Sequence, residues 1–108
     1  MPVIPRGYIS LEKLDEEIER AKQKLGPEVV RVRYNVGVNM WEDPAIYFRV
    51  VLTDSASREE TLADVAEQIE RLFSDELHLI ENWGLKPYFS FRNQSEQAKR
   101  EHLDLDWV

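Results

Sequence analysis

The chain contains no cysteine. That absence excludes disulfides, thiolate metal sites and thiol nucleophiles, and it suits a reducing compartment. Histidine occurs only as His78 and His102, far apart and with no triad context. Glycine is limited to Gly7, Gly26, Gly37 and Gly84, a spacing that builds neither a phosphate-cradling loop nor a G-x-S-x-G elbow. No stretch approaches the roughly 18 apolar residues of a membrane span, and the first ten residues lack the apolar centre of a secretory signal. Positive charge is the scarcer sign: 14 basic residues face 21 acidic ones, for a net charge of −7. This balance opposes non-specific attachment to nucleic acid or anionic lipid. A cytoplasmic protein is therefore expected, with no enzymatic activity, no cofactor, no metal and no membrane part.

What is abundant is bulky apolar material. With 108 residues, 43% hydrophobic and including three Trp, four Tyr and four Phe, the chain has enough to bury around one core, and a domain of this size is expected to be single. The clearest pattern runs from Val29 to Thr53. Val30, Val32, Tyr34, Val36, Val38 and Met40 fall on one side of an alternating strand; Arg31, Arg33, Asn35, Gly37 and Asn39 fall on the other. After a turn at Trp41 to Asp43 the alternation resumes. Ile46, Phe48, Val50 and Leu52 lie on one side, with Tyr47, Arg49, Val51 and Thr53 on the other. The expected hairpin pairs Val36 with Phe48, Tyr34 with Val50, Val38 with Ile46 and Val32 with Leu52.

Two helices flank it. Ser10 is placed to cap the first, whose stripe is Leu11, Leu14, Ile18, Ala21 and Leu25, with Gly26 and Pro27 ending it. The second is expected to start at Ser57 through a capping box with Glu60 and to carry Leu62, Val65, Ala66, Ile69, Leu72 and Phe73 inward. A break is expected near Ser74 and Asp75, with Gly84 as the later stop. A third strand follows Pro87, placing Phe89 and Phe91 on one face and Tyr88, Ser90 and Arg92 on the other. Residues 1–9 are expected to form an irregular arm, residues 10–93 the domain, and residues 94–108 a polar, acidic tail ending in the alternating Leu103, Leu105 and Trp107.

The expected fold class is α+β: a three-stranded mixed sheet in αββαβ order, with strand order 2-1-3 and both helices on the apolar face. A right-handed crossover through the second helix makes the second and third strands parallel. The run Val30 to Gly37, the strand Tyr47 to Leu52 and the acidic amphipathic helix resemble the cytoplasmic domain of cation diffusion facilitators. That resemblance implies dimerisation and, in some members, metal binding at histidines and carboxylates. With only His78 and His102 in the chain, the metal site does not carry over. The element order and the strand Phe48-Arg49-Val50-Val51-Leu52 are also similar to the class II KH and BolA-like group. The G-x-x-G loop with which KH domains grip nucleic acid is missing.

Asp75, His78 and Glu81 recur at three-residue spacing, which would bring a histidine and two carboxylates to one helical face; a strong zinc site normally has more His or Cys ligands, which favours a surface histidine among acids. The sharper constellation is the sheet face away from the helices, where Arg31, Arg33, Tyr47, Arg49, Tyr88 and Arg92 gather. Arginine and tyrosine anchor protein interfaces, and the expected role is a protein-interaction or regulatory module, as a self-associating dimer or in a complex with another protein, ranked ahead of a solvated face whose arginine stems merely shield the strands. In a symmetric pair the arginine faces would repel unless offset by the acidic tail, so the tail is expected to fold back on the face or onto a partner. The alternative is an RNA or small anionic ligand on the same face, with rings stacking on bases and guanidinium groups pairing with phosphates.

Overall fold

A computed structural model describes residues 11–100, with side chains as far as Ala98. The elements are α1 (Leu11–Lys22), β1 (Val29–Val38), β2 (Pro44–Leu52), α2 (Glu59–Leu77), α3 (Leu79–Trp83), β3 (Lys86–Asn93) and α4 (Gln94–Arg100). The fold is α+β with a three-stranded mixed sheet. The arm expected at residues 1–9, the Ser10 cap and the terminal Leu103, Leu105 and Trp107 pattern lie outside the described residues.

The strand order is β1-β2-β3, not 2-1-3. β2 is central, antiparallel to β1 and parallel to β3. The reason lies in β2 itself. Ile46, Phe48, Val50 and Leu52 are buried on one face, while Ala45 and Val51, on the other, are 0% and 3% exposed. A strand buried along one face and at both ends of the other belongs in the middle of a sheet. β1, which alternates arginine with valine and buries only Val32 below a tenth of its surface, takes the edge.

The hairpin register also differs, by two residues: Tyr34 pairs with Phe48, Val36 with Ile46 and Val32 with Val50. Asn39 causes the shift. Its N–H donates to the Asp43 carbonyl at 3.0 Å, and its Oδ1 accepts the N–H groups of Trp41 and Asp43 at 2.9 and 3.0 Å. The loop therefore spans residues 39–43 instead of beginning at Trp41. Glu42 takes φ 63° within it, a left-handed conformation uncommon outside glycine. A slip of two leaves every side chain on its expected face.

Both α1 and α2 cover the apolar face. Leu14, Ile18 and Ala21 of α1 and Ile69, Phe73 and Leu77 of α2 are buried there. Phe48 stacks between Phe73 and Phe89, with centroids 4.8 Å away in each case. Lys24, just past α1, pairs with Glu76 of α2 at 2.8 Å. The Tyr34 hydroxyl donates to Asp15 of α1 at 3.0 Å. Burial first, and then the Asp15 carboxylate, push the Tyr34 phenol up to about 12.

The second helix departs from expectation at both ends. No Ser57 capping box forms. The Ser57 hydroxyl donates instead to the Thr53 carbonyl at 3.1 Å, and Arg58, extended and without a side-chain cap, precedes the first turn. The helix also runs past Ser74 and Asp75 to Leu77. Leu77 is 2% exposed and continues the stripe of Phe73, so the chain stays helical until that side chain is seated. His78, left-handed at φ 46°, makes the break, and Gly84, left-handed at φ 65°, closes α3.

Candidate arginine and tyrosine sheet face

The pairing of β1 with β2 and of β2 with β3 sorts the polar face into rows. Asn35, Tyr47 and Tyr88 form one row; Arg33, Arg49 and Ser90 the next; Arg31, Val51 and Arg92 the third. Arg31, Arg33, Tyr47, Arg49, Tyr88 and Arg92 therefore share one face, as the alternation implies, but with β2 and not β1 in the middle.

The tyrosine row adjoins the hairpin loop. The Tyr47 and Tyr88 rings stack on each other at 5.4 Å with 20° between planes. Both hydroxyls are engaged: Tyr47 donates to the Val38 carbonyl at 2.7 Å, and Tyr88 accepts from Asn39 Nδ2 at 3.1 Å. Lys86 at the start of β3 pairs with Asp43 at 2.9 Å. The hydrogen bond and charge of Lys86 hold the Asp43 carboxyl below its ordinary value. This corner is thus a braced aromatic platform, with Met40 and Trp41 exposed at the loop tip.

The middle row concentrates uncompensated charge. Arg33 stands directly opposite Arg49, a like-charge arrangement that destabilises a cross-strand pair. Neither side chain makes an ion pair among the described residues. Arg49 Nε is buried from solvent and has no hydrogen-bond partner there either. A buried donor left unmatched is uncommon in folded proteins.

The third row is covered. Arg92 donates through Nη1 to Gln97 Oε1 at 3.3 Å and lies 4.0 Å from Glu96 through Nε. Val51 between the arginines is 3% exposed and Gln97 is 6% exposed. The segment after β3 thus folds back over this end of the face as α4. Asn93 Oδ1 accepts the Glu96 N–H at 2.6 Å, a helix cap. Asp54, from the loop after β2, accepts both the N–H and the hydroxyl of Ser95. Those two bonds hold the Asp54 carboxyl below its ordinary value, the hydroxyl contributing most.

Other constellations are less concentrated. His78 Nδ1 lies 3.6 Å from Glu81 Oε2, but the left-handed turn at His78 separates Asp75 and Glu81 onto two helices. Among the described residues no three such side chains are placed to hold a metal ion. No helix among them is long and apolar enough to cross a membrane. A groove between α2 and β3 is lined by Ala63, Ala66, Ser74, Pro87 and Phe89, with Glu67, Glu70, Arg71 and Asp75 around it. Sequence patterning missed the bracing role of Asn39 and the tie from Asp54 to Ser95. An Asx residue at a strand end followed by a turn is a signal for the first; the second joins segments 41 residues apart and has no local signature.

The chain matches no family model, no curated protein and no solved structure.

Proposed function

We propose that this protein is a non-enzymatic interaction module that receives an acidic protein segment on its arginine and tyrosine sheet face. The observation that carries the proposal is the Arg33 and Arg49 pair: two opposed guanidinium groups with no carboxylate partner among the described residues, one of them with a buried, unmatched Nε–H. A carboxylate from outside would relieve the repulsion between the two guanidinium groups, while the Arg49 Nε–H itself stays buried from solvent. Guanidinium suits that role because its planar fork matches a carboxylate in two bonds. The Tyr47 and Tyr88 pair beside it offers a flat apolar contact whose polar tips are already satisfied. The overall charge of −7 works against acidic partners at long range, but screening at physiological salt confines that opposition to roughly 8 Å.

RNA is the weaker reading of the same face. The chain has no G-x-x-G loop of the kind that grips nucleic acid, and a net charge of −7 opposes an extended polyanion over more of its length than it opposes a short acidic segment. The test is fluorescence anisotropy with a labelled Glu/Asp-rich peptide and, in parallel, a uridine oligonucleotide. Peptide binding that weakens with salt and disappears in Arg33→Glu, Arg49→Glu, with the fold intact by circular dichroism, is the expected result. Preferential binding of the oligonucleotide, or peptide binding untouched by the double substitution, would overturn the proposal.

A further inference from the structure

With β1 at the edge of the sheet, its outer side has no neighbouring strand among the described residues. It is ten residues long and contains neither proline nor lysine; its charged residues, Arg31 and Arg33, lie on one face only, and its bulge lies at one end. Val30 and Val38, near its two ends, are 46% and 48% exposed. Gly37 adds a separate observation. Glycine weakens a strand interior and often marks the close approach of another chain. Among the described residues nothing requires it, since a Cβ there would meet only Tyr47 Cε2, at 4.0 Å.

We infer that β1 pairs antiparallel with β1 of a second copy, joining two sheets into one of six strands across a two-fold axis at Tyr34. The register follows from symmetry and charge. Two identical antiparallel edges related by an axis perpendicular to the sheet keep their faces aligned, so opposed residues share parity and one residue lies on the axis. With Arg33 on the axis two guanidinium groups oppose each other, and with Val32 there Arg31 opposes Arg33. With Asn35 on the axis the pairing reaches Asn39, which is committed to the hairpin loop.

Tyr34 on the axis avoids these conflicts. Val30 then opposes Val38, covering the two half-exposed valines with each other, and Val32 opposes Val36. Arg33 opposes Asn35. Arg31 opposes Gly37, where the missing side chain leaves room for the arginine stem. The bulge falls at Val30, between Val29 and Arg31, so regular pairing runs from Arg31 to Gly37 and the contact of Val30 with Val38 is the outermost one. The joined sheet presents the arginine rows of both copies as one continuous strip. Arg33 takes part in both, through its backbone at the strand edge and through its guanidinium on the face; the dimer rests on the edge of β1 and not on peptide capture, so the mass of the unsubstituted chain and of the Val30→Lys, Val38→Lys variant tests it apart from the binding face.

The absence of cysteine from the chain makes the register directly testable by engineered disulfides. Arg33 and Asn35 are both exposed, and directly opposed residues have Cα separations that a disulfide can span. Arg33→Cys chains mixed with Asn35→Cys chains are expected to cross-link with each other under mild oxidation, and neither is expected to cross-link with itself. Sedimentation equilibrium of the unsubstituted chain is expected to give a dimer mass, reduced to a monomer in Val30→Lys, Val38→Lys with an unchanged circular dichroism spectrum. A monomer mass for the unsubstituted chain at near-millimolar concentration would overturn the dimer. Retained dimerisation of the lysine variant would place the contact elsewhere, and self-linking of either cysteine chain would overturn the register.

Discussion

Arg33 and Arg49 are direct cross-strand partners on β1 and β2, and no carboxylate among the described residues pairs with either. Each is held there by its strand's alternation, because moving either to the other face would move a core residue outward. The repulsion is built into the register. It gives fold and binding opposite requirements at one position.

That opposition predicts the effect of Arg33→Glu. The substitution replaces a like-charge pair with an opposite-charge pair and should stabilise the fold by about 0.2–1 kcal/mol, while weakening capture of an acidic peptide. Urea unfolding and peptide anisotropy on the same preparation check the two signs together. Equal loss of stability and binding would mean that Arg33 is held by a contact other than those described.

Phe48 is the centre of the aromatic core, 1% exposed and stacked on Phe73 and Phe89. Phe48→Ala should cost about 3–5 kcal/mol, the range for deleting a buried phenylalanine. Chemical denaturation measures it. A cost near zero would contradict the assignment of the faces.

Tyr34 links pH to stability at the alkaline end. Its folded pKa, about 12, exceeds the ordinary 10.0, so the native state holds this proton more tightly than the unfolded chain. The resulting stabilisation is complete below about pH 10 and is lost as pH rises from there through about 12. Ultraviolet titration should show the Tyr34 phenol ionising late. Asp15→Ala should lower its pKa only in part, because burial is the larger cause.

The tie between Asp54 and Ser95 predicts a local effect. The Asp54 carboxyl is held low in the folded protein, so its contribution is present above the unfolded value of about 3.9 and is lost as pH falls through the lower folded value. Asp54→Ala should speed hydrogen exchange at the amides of residues 95–98 and leave the amides of β2 unchanged. Uniform acceleration across the sheet would show that α4 is integral to the core.

The six face residues were legible from alternation alone, because a two-residue slip in pairing changes partners and not faces. The pairing itself was hidden by Asn39, which looks like the next residue of β1 but spends its side chain on the loop. Strand order was misread because β1 has the cleaner alternation. Yet Ala45 and Val51, apolar residues at polar-side positions of β2, carry the mark of a strand buried along one face and at both ends of the other. The end of α2 was misplaced because Ser74 and Asp75 resemble a stop, whereas Leu77 holds the helix in register until its side chain reaches the core. The cover over Arg92 depends on a contact between distant segments, which no local pattern announces.

The most direct test of the central claim is an amide chemical-shift titration of the isotope-labelled protein with a Glu/Asp-rich peptide. The largest changes should fall at Arg33, Tyr47, Arg49, Tyr88 and Ser90. Changes confined to the groove between α2 and β3, around Ala66, Ser74 and Pro87, or no saturable change at all, would contradict it.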